Sequence, residues 1–287
     1  MSRYELTDKV ALVTGGARGI GLATARALIA RGASVAIVDL DAAAAEHAAA
    51  QLHHARALGL AADVSDRSAT QRAVARTVEQ FGRLDIVVAN AGIASRAATF
   101  RGTPAESFER VLNVNLMGAA RTVDAALPEI IRREGHIVLV SSIYAFMNGF
   151  GTAPYAMSKA AVEQLGRALR VELRQHGSGA SVAYFGFVDT EMIHEVVDSD
   201  PLAHSMLASL PNPFHKRLHP AAAGQAIVRG IERRQPRIIR PRRWAALSTL
   251  RGVLGPLIDS HMERDPRTQD NLRALEARTD NDQPTPV

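Results

Sequence analysis

The sequence predicts an α/β fold, a doubly wound parallel sheet in three αβα layers, built as a single domain with a C-terminal helical extension. Short apolar runs rich in β-branched residues alternate with longer segments of helical periodicity, which is typical of βαβ units. The short runs are continuously apolar, as expected of strands buried on both faces. The 287 residues, 47% hydrophobic and 22% charged, suit one large globular domain and exclude a disordered or fibrous chain.

The predicted elements follow in order along the chain. Strands are expected at residues 10–14, 34–38, 84–89, 136–141 and 180–185, with two further short candidates at 57–63 and 237–240. Helices are expected at residues 20–31, 42–58, 65–81, 107–133, 155–176 and 220–234. Residues 191–219 contain Pro201, Pro211 and Pro213 and are expected to form an irregular lid over the substrate.

Beyond residue 240, a helical stripe of apolar residues runs from 244 to 262 and is interrupted by Gly255 and Pro256. Helices of soluble proteins usually bury such a stripe in protein. The extension, residues 241–287, is therefore expected to pack in a subunit interface or to cover the substrate cleft, with contact to a membrane surface as a third alternative. Its polar end, residues 279–287, is expected to be frayed.

The composition excludes several classes of site. The chain has no cysteine, so a disulfide framework, a thiolate nucleophile and a Cys-ligated metal are excluded, and no metal site is predicted. We expect a cytoplasmic location, because neither a secretory signal nor an 18-residue apolar run is visible. Residues 216–251 hold ten Lys and Arg against Glu232, within a net charge of +5. This segment is expected to be a solvated face, with an anionic partner as the alternative; no motif for nucleic-acid binding accompanies it.

A glycine-rich turn follows the first predicted strand. Gly15, Gly19 and Gly21 let the backbone turn sharply and approach a pyrophosphate, whose charge is attracted by the first amides of the next helix. Asp39 ends the second strand, where an acid can accept from both hydroxyls of an adenosine ribose, and this favours NAD over NADP. Arg18 favours the opposite choice, because a guanidinium can pair with a 2′-phosphate. The structural alternative for Asp39 is a helix N-cap.

Tyr155 and Lys159 lie four residues apart at the start of a predicted helix, so their side chains share one helical face. A nearby cation favours the phenolate and lowers the pKa of a tyrosine toward the range of a general acid/base. Ser142 lies at the carboxyl end of a predicted strand, the edge at which open α/β sheets bind ligands. Its hydroxyl could hydrogen-bond a reacting carbonyl oxygen.

In their order and spacing, these motifs resemble the short-chain dehydrogenase/reductase family in its single-domain branch. The resemblance covers residues 7–240 and implies a Rossmann-type fold, with residues 1–240 as the dinucleotide-binding and catalytic domain. It rests on Thr14-Gly15-x-x-x-Gly19-x-Gly21, Asp39, Asp63-Val64, Asn90-Ala91-Gly92, Asn113-Val-Asn115-x-x-Gly118, Ser142, Tyr155-x-x-x-Lys159 and Thr190.

The resemblance implies a role for each matching residue. Tyr155 would exchange a proton with the substrate oxygen, and Ser142 would hold that oxygen. Lys159 would bind the nicotinamide ribose and lower the pKa of Tyr155, while Asn115 would hold a water of the proton relay. The expected cofactor-binding residues are Gly15, Arg18, Gly19, Ile20, Gly21, Asp39, Leu40, Asp63, Val64, Asn90, Ala91, Gly92, Tyr155, Lys159, Gly186, Val188 and Thr190.

Two positions depart from the pattern of the family. Phe185-Gly186 replaces the usual Pro-Gly after the sixth strand, and Ala89 stands where a second Asn is frequent. Because proline fixes φ and removes a donor, the nicotinamide-side loop is expected to have a different shape. Neither position belongs to the proton-transfer groups, so activity is expected to survive.

Seven of the thirteen aromatic residues fall between Tyr144 and Phe187, so an apolar substrate pocket is expected. The candidate substrate contacts are Ser142, Tyr144, Phe150, Tyr155, Phe187 and Met192, and the apolar lid candidates are Met192, Ile193, Met206, Leu207 and Leu210. The function predicted is an NAD-dependent interconversion of a hydrophobic secondary alcohol and its ketone by a homodimer or homotetramer. Two alternatives stay open: an NADPH-dependent reductase of 3-oxoacyl thioesters and a non-catalytic, NAD-sensing regulatory protein.

Overall fold

This computed structural model describes residues 3–52, 55–208 and 212–278. Within these residues, seven parallel strands form one sheet in the order β3-β2-β1-β4-β5-β6-β7. The strands are β1 (Val10–Thr14), β2 (Ser34–Asp39), β3 (Ala57–Ala61), β4 (Ile86–Ala89), β5 (His136–Ser142), β6 (Gly179–Phe185) and β7 (Arg237–Arg240). The chain enters at the centre and fills one half of the sheet before it crosses to the other half. The predicted doubly wound α/β fold is therefore confirmed.

Helices cover both faces of the sheet. In chain order they are α1 (Gly19–Ile29), α2 (Ala42–Leu52), α3 (Arg67–Phe81), α4 (Ala105–Leu112), α5 (Gly118–Arg132), α6 (Ala153–Glu172), α7 (Glu191–Ile193), α8 (Pro201–Ala208), α9 (Asn212–His215), α10 (Pro220–Glu232), α11 (Trp244–Arg264) and α12 (Pro266–Glu276). Successive side chains of a strand point to opposite faces of the sheet, so they pack against opposite layers of helices. Val13 and Ile37 pack with α1, α2 and α10, whereas Leu12 and Val38 pack with α3, α5 and α6.

The Ala-rich segment after β2 departs from the prediction. Helix α2 ends at Leu52 rather than at 58, and residues 57–61 form β3, which pairs in parallel with β2. A Cβ on Gly59 would lie 2.6 Å from the backbone of Ala45 and Glu46, so β3 passes α2 at a distance that only glycine allows. Pairing with β2 thus overrides the helical propensity of Ala57 and Leu58.

The single helix predicted at 107–133 is two helices, α4 and α5, separated by a π-helical turn at Asn113–Met117. A π-helical turn accommodates one extra residue and is frequent at functional sites. Asn115 lies in this turn, and its buried amide bonds the loop after β4. Helical periodicity alone does not reveal such a turn.

The segment predicted as an irregular lid, residues 191–219, is largely helical. It contains α7, a π-helical turn at His194–Asp198, α8 and α9. The prediction took proline as a sign of irregular chain, but Pro201 is the first residue of α8, where its missing N–H costs little. Leu210 and Pro211 belong to the predicted lid and lie outside the described residues.

The extension is more helical than predicted. Helix α11 runs through Gly255 and Pro256 to Arg264 without interruption, and α12 follows with Thr268 and Leu275 as its buried residues. With so few buried positions, α12 lacks the apolar stripe by which the sequence would predict it. The polar end, residues 279–287, lies outside the described residues. No helix within the described ranges has both the length and the apolar content that crossing a bilayer requires.

Candidate active site

The loops that follow the strands at the carboxyl edge of the sheet contain the predicted site. The order β3-β2-β1-β4 places the turn after β1 beside the loop after β4, at the point where the winding of the chain reverses. Ligands of open α/β sheets bind in the crevice that such a reversal creates. The ends of β5 and β6 continue the same edge toward the lid.

The glycine turn has the backbone geometry that the sequence predicts. Gly15 and Gly19 have φ values of +59° and +54°, a region that favours glycine. A Cβ on Gly21 would lie 2.0 Å from the carbonyl oxygen of Gly15. Helix α1 begins at Gly19, and the N-cap residue, Arg18, is extended and directs its side chain to Glu191 rather than to the first amides. The glycine turn therefore forms a cradle that fits a pyrophosphate at the start of α1. Its walls are backbone, and the Arg18 side chain does not bond the first amides of the helix.

Asp39 lies beside this turn. Its carboxylate accepts from the backbone N–H of Ala17 at 3.0 Å and from that of Leu40 at 2.9 Å. The alternative of a helix N-cap is wrong for Asp39, because Asp41 accepts from the Ala44 N–H at the start of α2. The position of Asp39 fits a residue that contacts an adenosine ribose next to the phosphate loop.

Arg18 is paired with the lid. Its guanidinium donates to the Glu191 carboxylate at 2.6 Å, and this hydrogen bond raises the pKa of Arg18. The methyl carbon of Thr190 lies 3.1 Å from the position that a Cβ on Gly19 would occupy. The start of α7 therefore closes over the phosphate turn. Ile20, another predicted contact, lies in the first turn of α1, where its carbonyl accepts from the Thr24 hydroxyl.

Asn90 supports the glycine turn from the neighbouring strand. Its amide donates to the carbonyls of Thr14 and Gly15 at 3.0 Å each, and the Ala91 N–H donates to the Thr14 hydroxyl at 3.2 Å. A Cβ on Gly92 would lie 3.4 Å from the Lys159 amine. The structure thus brings residues 90–92 between the cofactor cradle and the catalytic candidates.

Asp63 and Val64, the predicted adenine contacts, follow β3 at the carboxyl edge of the sheet, next to the end of β2. The Asp63 carboxylate accepts from the Ser65 N–H at 2.8 Å. Val64 is buried where a Cβ on Gly118 would lie 2.6 Å from its side chain. Their contacts within the chain fix the loop after β3 in place and leave their role toward adenine a prediction.

Ser142, Tyr155 and Lys159 come together at the end of β5. The Ser142 hydroxyl lies near enough to the Tyr155 phenol to lower its pKa, and it accepts from the Tyr144 N–H at 3.3 Å. Lys159 is buried, donates to the Val140 carbonyl at 3.1 Å and lies 5.5 Å from the centroid of the Tyr155 ring. Helix α6 positions both residues, because Tyr155 and Lys159 lie one turn apart on it.

The proton equilibria of the site are set mainly by burial. Burial raises the pKa of Tyr155, and the nearby Ser142 hydroxyl lowers it by less. Burial also lowers the pKa of Lys159 to about 8. The net shift of the Tyr155 pKa is upward, and Ser142 is the contact that opposes it; the lowering of this pKa by Lys159 stays a prediction. At neutral pH the phenol carries its proton and can act as an acid.

Asn115 holds the framework around Tyr155. Its side chain accepts from the Ile93 N–H at 2.7 Å and donates to the Ile93 carbonyl at 2.9 Å and to the Ser158 hydroxyl at 3.0 Å. Ser158 in turn donates to the Tyr155 carbonyl at 2.7 Å. Asn115 thus ties the loop after β4 to the first turn of α6. Its role in holding a relay water stays a prediction.

The predicted substrate contacts separate into two places. Tyr144 packs its ring edge against Tyr155, with centroids 5.9 Å apart, and belongs with the buried Phe187 to one apolar cluster. Ile193 and Leu207 of the lid pack on the same cluster. Phe150 instead lines a separate cleft of about 390 Å³ with Phe100, Met157 and Leu272, and Met192 lies partly exposed in α7.

Trp244 is a residue near the site that sequence reasoning missed. It is buried in the apolar cluster with Phe187, and its indole nitrogen lies 2.6 Å from the position of a Cβ on Gly186. The indole therefore packs on the backbone of the loop after β6 (residues 186–190), the predicted nicotinamide-side loop, which also contains the predicted contacts Val188 and Thr190. Two features of the sequence could have indicated this contact: Phe185-Gly186 replaces Pro-Gly, and Trp244 is the one tryptophan of the chain.

Comparison with known proteins finds a matching family model, relatives similar in sequence and solved structures similar in fold. A family model described as short chain dehydrogenase matches residues 9–201. The chain is 36% identical over 210 residues to 2-(R)-hydroxypropyl-CoM dehydrogenase of Xanthobacter autotrophicus, covering 71% of this chain and 84% of that protein. It is 32% identical over 233 residues to L-fucose dehydrogenase of Rattus norvegicus, covering 79% and 84%. The solved structure of 3-ketoacyl-(acyl-carrier-protein) reductase from Brucella melitensis complexed with NADH is similar in fold, with a TM-score of 0.69, 27% identity and coverage of 82% and 96%.

Proposed function

Because this chain belongs to the short-chain dehydrogenase/reductase family, we propose that it interconverts a hydrophobic secondary alcohol and its ketone with NAD as the cofactor. The family membership makes the chain an oxidoreductase that acts on CH–OH groups with NAD(P). One observation carries the proposal further: the Ser142 hydroxyl lies near the Tyr155 phenol at the carboxyl edge of the sheet, and the Lys159 amine lies 5.5 Å from the centroid of the Tyr155 ring on the same face of α6.

The residues of the chain would divide the chemistry between them. In ketone reduction, Tyr155 would donate its proton to the carbonyl oxygen, and in alcohol oxidation it would remove the hydroxyl proton. Ser142 would hold that oxygen where charge develops. When bound, the cofactor would supply the hydride acceptor for alcohol oxidation and, in its reduced form, the hydride donor for ketone reduction. Lys159 would contact the nicotinamide ribose, and Asn115 would keep the loop after β4 and the start of α6 in register.

The choice of NAD rests on the charges around the glycine turn. Asp39 accepts from the Ala17 N–H, so its carboxylate lies beside the phosphate turn, where it would repel a 2′-phosphate. Arg18, the residue that would attract such a phosphate, is already paired with Glu191. Leu40, adjacent to Asp39, is largely exposed and offers no compensating charge.

The substrate class rests on the apolar cluster at the end of β5. Tyr144, Phe187 and Ile193 belong to this cluster, and Tyr144 packs against Tyr155. An apolar wall beside Tyr155 favours an apolar substituent on the reacting carbon. The two relatives act, by name, on hydroxypropyl-CoM and L-fucose, so the family membership sets the reacting group but not the substituents.

A cofactor absorbance screen tests this proposal. The enzyme would be assayed with NAD and with NADP against alicyclic and aromatic secondary alcohols, sugars and hydroxy acids, and with NADH and NADPH against ketones and 3-oxoacyl thioesters. We expect the highest kcat/KM for an apolar alcohol with NAD. Turnover restricted to sugars or small charged hydroxy acids would refute the substrate class, and NADPH-dependent turnover of thioesters would favour the alternative reductase.

Tyr155→Phe tests the role of the acid/base. Loss of the phenolic hydroxyl is expected to lower kcat by about 10²–10⁴-fold, the usual contribution of a positioned acid/base, with little change in NAD binding. Tyr4→Phe is the matched control, because Tyr4 lies at the N-terminal end of the fold, where its N–H bonds the Glu232 carbonyl. Equal activity of wild type and Tyr155→Phe would refute the mechanism. If the wild type and Tyr155→Phe both bound NAD but turned over no substrate, the sensing protein would be favoured.

We also propose that the chain forms a homodimer or homotetramer. Leu250, Val253 and Leu257 on α11 expose 52%, 67% and 64% of their surface, and their spacing places them on one face of the helix. Such a stripe fits a subunit contact better than open solvent. Size-exclusion chromatography with light scattering measures the state directly, and a monomer at micromolar concentration would refute the assignment.

A further inference from the structure

A groove of about 470 Å³ lies on the outer side of α6, where this helix faces β6, β7 and α11. Four arginines line it: Arg167 and Arg170 from α6, Arg237 from β7 and Arg251 from α11. The acidic residue in the lining is Glu163, and Tyr184 of β6 contributes its ring. The groove therefore carries a net charge of three positive.

Glu163 compensates for one of these arginines. Its buried carboxylate accepts from two nitrogens of Arg251 at 2.9 Å each, whereas the Arg167 guanidinium lies 3.9 Å away. Among the described residues, neither Arg170 nor Arg237 has a carboxylate within 4.0 Å. Their charges are consequently left without an acidic partner in this part of the chain.

Both of these arginines are held in place by uncharged groups. Arg170 donates to the Ala180 carbonyl at 3.1 Å. Arg237 donates to the Ser248 hydroxyl and lies 5.9 Å from the centroid of the Tyr184 ring. A guanidinium anchored in this way keeps other N–H groups free and loses less conformational entropy when it binds a ligand.

We propose that this groove binds a small phosphorylated anion carrying two or more negative charges. Guanidinium groups bind phosphate oxygens through paired, charge-assisted hydrogen bonds, and several of them favour more than one phosphate charge. An anion would also relieve the repulsion among like charges held in a partly enclosed groove.

The groove is separate from the proposed reaction site. Glu163, Arg167 and Arg170 follow Tyr155 by eight to fifteen positions on α6, which is roughly 12–22 Å at 1.5 Å per residue. A small anion bound among them does not reach the Tyr155 hydroxyl. The proposal therefore concerns a second ligand and does not depend on the identity of the alcohol.

Isothermal titration with inorganic pyrophosphate, at constant ionic strength and in saturating NAD, tests the proposal. Saturating NAD blocks the glycine turn, which could otherwise bind the probe. We expect binding to the wild type, and at least a tenfold weaker affinity in the double variant Arg170→Gln/Arg237→Gln. The control Arg72→Gln/Arg76→Gln removes the same charge from exposed positions on α3 and is expected to bind as the wild type does.

A second pair of variants keeps the test informative if the double variant fails to fold. Thr249 is an exposed residue of α11 in the groove lining, so Thr249→Glu adds a carboxylate there, and Thr249→Gln adds the same bulk without charge. We expect Thr249→Glu to weaken pyrophosphate binding at least fivefold and Thr249→Gln to leave it unchanged. Absence of binding to the wild type, equal loss in the α3 control, or equal loss in the two Thr249 variants would each overturn the proposal.

Discussion

The two sides of the sheet edge are held together by different kinds of contact. On the cofactor side, the turn between β1 and α1 is fixed by steric fit and neutral hydrogen bonds: Gly21 leaves no room for a Cβ, and Asn90 bonds the carbonyls of Thr14 and Gly15. On the lid side, a buried ion pair joins the lid to the extension. Asp200, which precedes α8, pairs with Arg278 at the end of the extension, 78 residues later.

Asp200 is the centre of the contacts on the lid side. Its buried carboxylate accepts from two nitrogens of Arg278, from the Leu202 N–H at 3.0 Å and from Arg96 at 3.5 Å, and Arg278 also donates to the Ala97 carbonyl at 3.0 Å. Burial alone raises the pKa of Asp200, but the bonds and charge of Arg278 outweigh it, and the net pKa is lowered. The pair therefore joins α8, the loop after β4 and the extension.

This difference indicates how each side responds to substitution. A turn that requires glycine is sensitive to any added atom, because the conflict is steric and lies in the turn itself. A lid held by a buried ion pair is sensitive to the loss of either partner, because the other is left charged in a poorly solvated place. The first kind of change alters the cofactor cradle, and the second releases the lid.

Asp200→Asn is expected to have the largest effect on stability. Removing one partner of a buried pair costs about 3–5 kcal/mol, so the unfolding free energy should fall by that order, and the KM for the substrate should rise as the lid opens. Because the folded pKa of Asp200 lies below its ordinary value, this contribution is present near neutral pH and is lost as the pH falls through the folded pKa. Urea unfolding at pH 7 and at pH values below the ordinary pKa of Asp200 measures the loss of stability and its pH dependence, and steady-state kinetics at pH 7 measure the KM.

The control for Asp200→Asn is Arg101→Gln, whose pair with Glu276 at 3.9 Å joins the same regions at the surface. Exposed pairs contribute little, so this variant should unfold as the wild type does. If the two variants lost equal stability, the buried pair would not be what holds the lid.

Gly21→Ala comes next, at about 1–3 kcal/mol of lost stability, because its Cβ would meet the Gly15 carbonyl at 2.0 Å and force the turn to open. NAD affinity should fall with it. The matched substitution is Gly252→Ala in α11, where nothing lies within 4 Å of the added Cβ. There the higher helix propensity of alanine should raise stability by about 0.5–1 kcal/mol. Thermal unfolding of both variants measures these changes in stability. If both variants gained stability or both lost it, the steric argument would be contradicted.

A feature could be predicted where a local sequence pattern encodes it. The strands, the glycine motif and the spacing of Tyr155 and Lys159 are patterns of residues near one another in the chain, and the structure has them where they are predicted. The lid helices and α12 could not be predicted, because their stability comes from partners such as Arg278 and Leu275 that no local period connects to α8. Likewise, the end of α2 depends on the pairing of β3 with β2.

Within the site, residue identities were easier to predict than proton equilibria. Ser142, Tyr155 and Lys159 come together as their spacing predicts. The direction of the shift in the Tyr155 pKa did not follow from that spacing, because burial by the surrounding fold opposes the effect of a nearby cation. Trp244 was missed for a related reason: its contact with Gly186 joins the extension to the core.

On the cofactor side, Asp39→Asn should change the choice of cofactor rather than the fold. The amide retains an oxygen that can accept from the Ala17 N–H but loses the charge that would repel a 2′-phosphate. The ratio of kcat/KM for NADP to that for NAD should rise about tenfold, equivalent to about 1.4 kcal/mol. Asp63→Asn is the control and should leave this ratio unchanged. An unchanged ratio in Asp39→Asn would mean that Asp39 does not select the cofactor.

The ion pair between Arg18 and Glu191 connects the two sides, so Glu191→Gln tests whether they act independently. Removing the carboxylate releases the Arg18 guanidinium beside the phosphate turn, where it can pair with a 2′-phosphate. Because both side chains are largely exposed, we expect only a two- to fivefold rise in kcat/KM for NADP, consistent with the small energies of surface pairs. Glu195→Gln, in the same lid segment, removes an acid that has no hydrogen bond to Arg18 and should leave NADP use unchanged.

The double variant Asp39→Asn/Glu191→Gln tests whether the two changes are independent. If each change acts on the phosphate alone, the rise in kcat/KM for NADP in the double variant should equal the product of the two single rises. A smaller rise, with a higher KM for the alcohol, would mean that the ion pair also holds the lid against the cofactor turn, and the two sides would then be coupled.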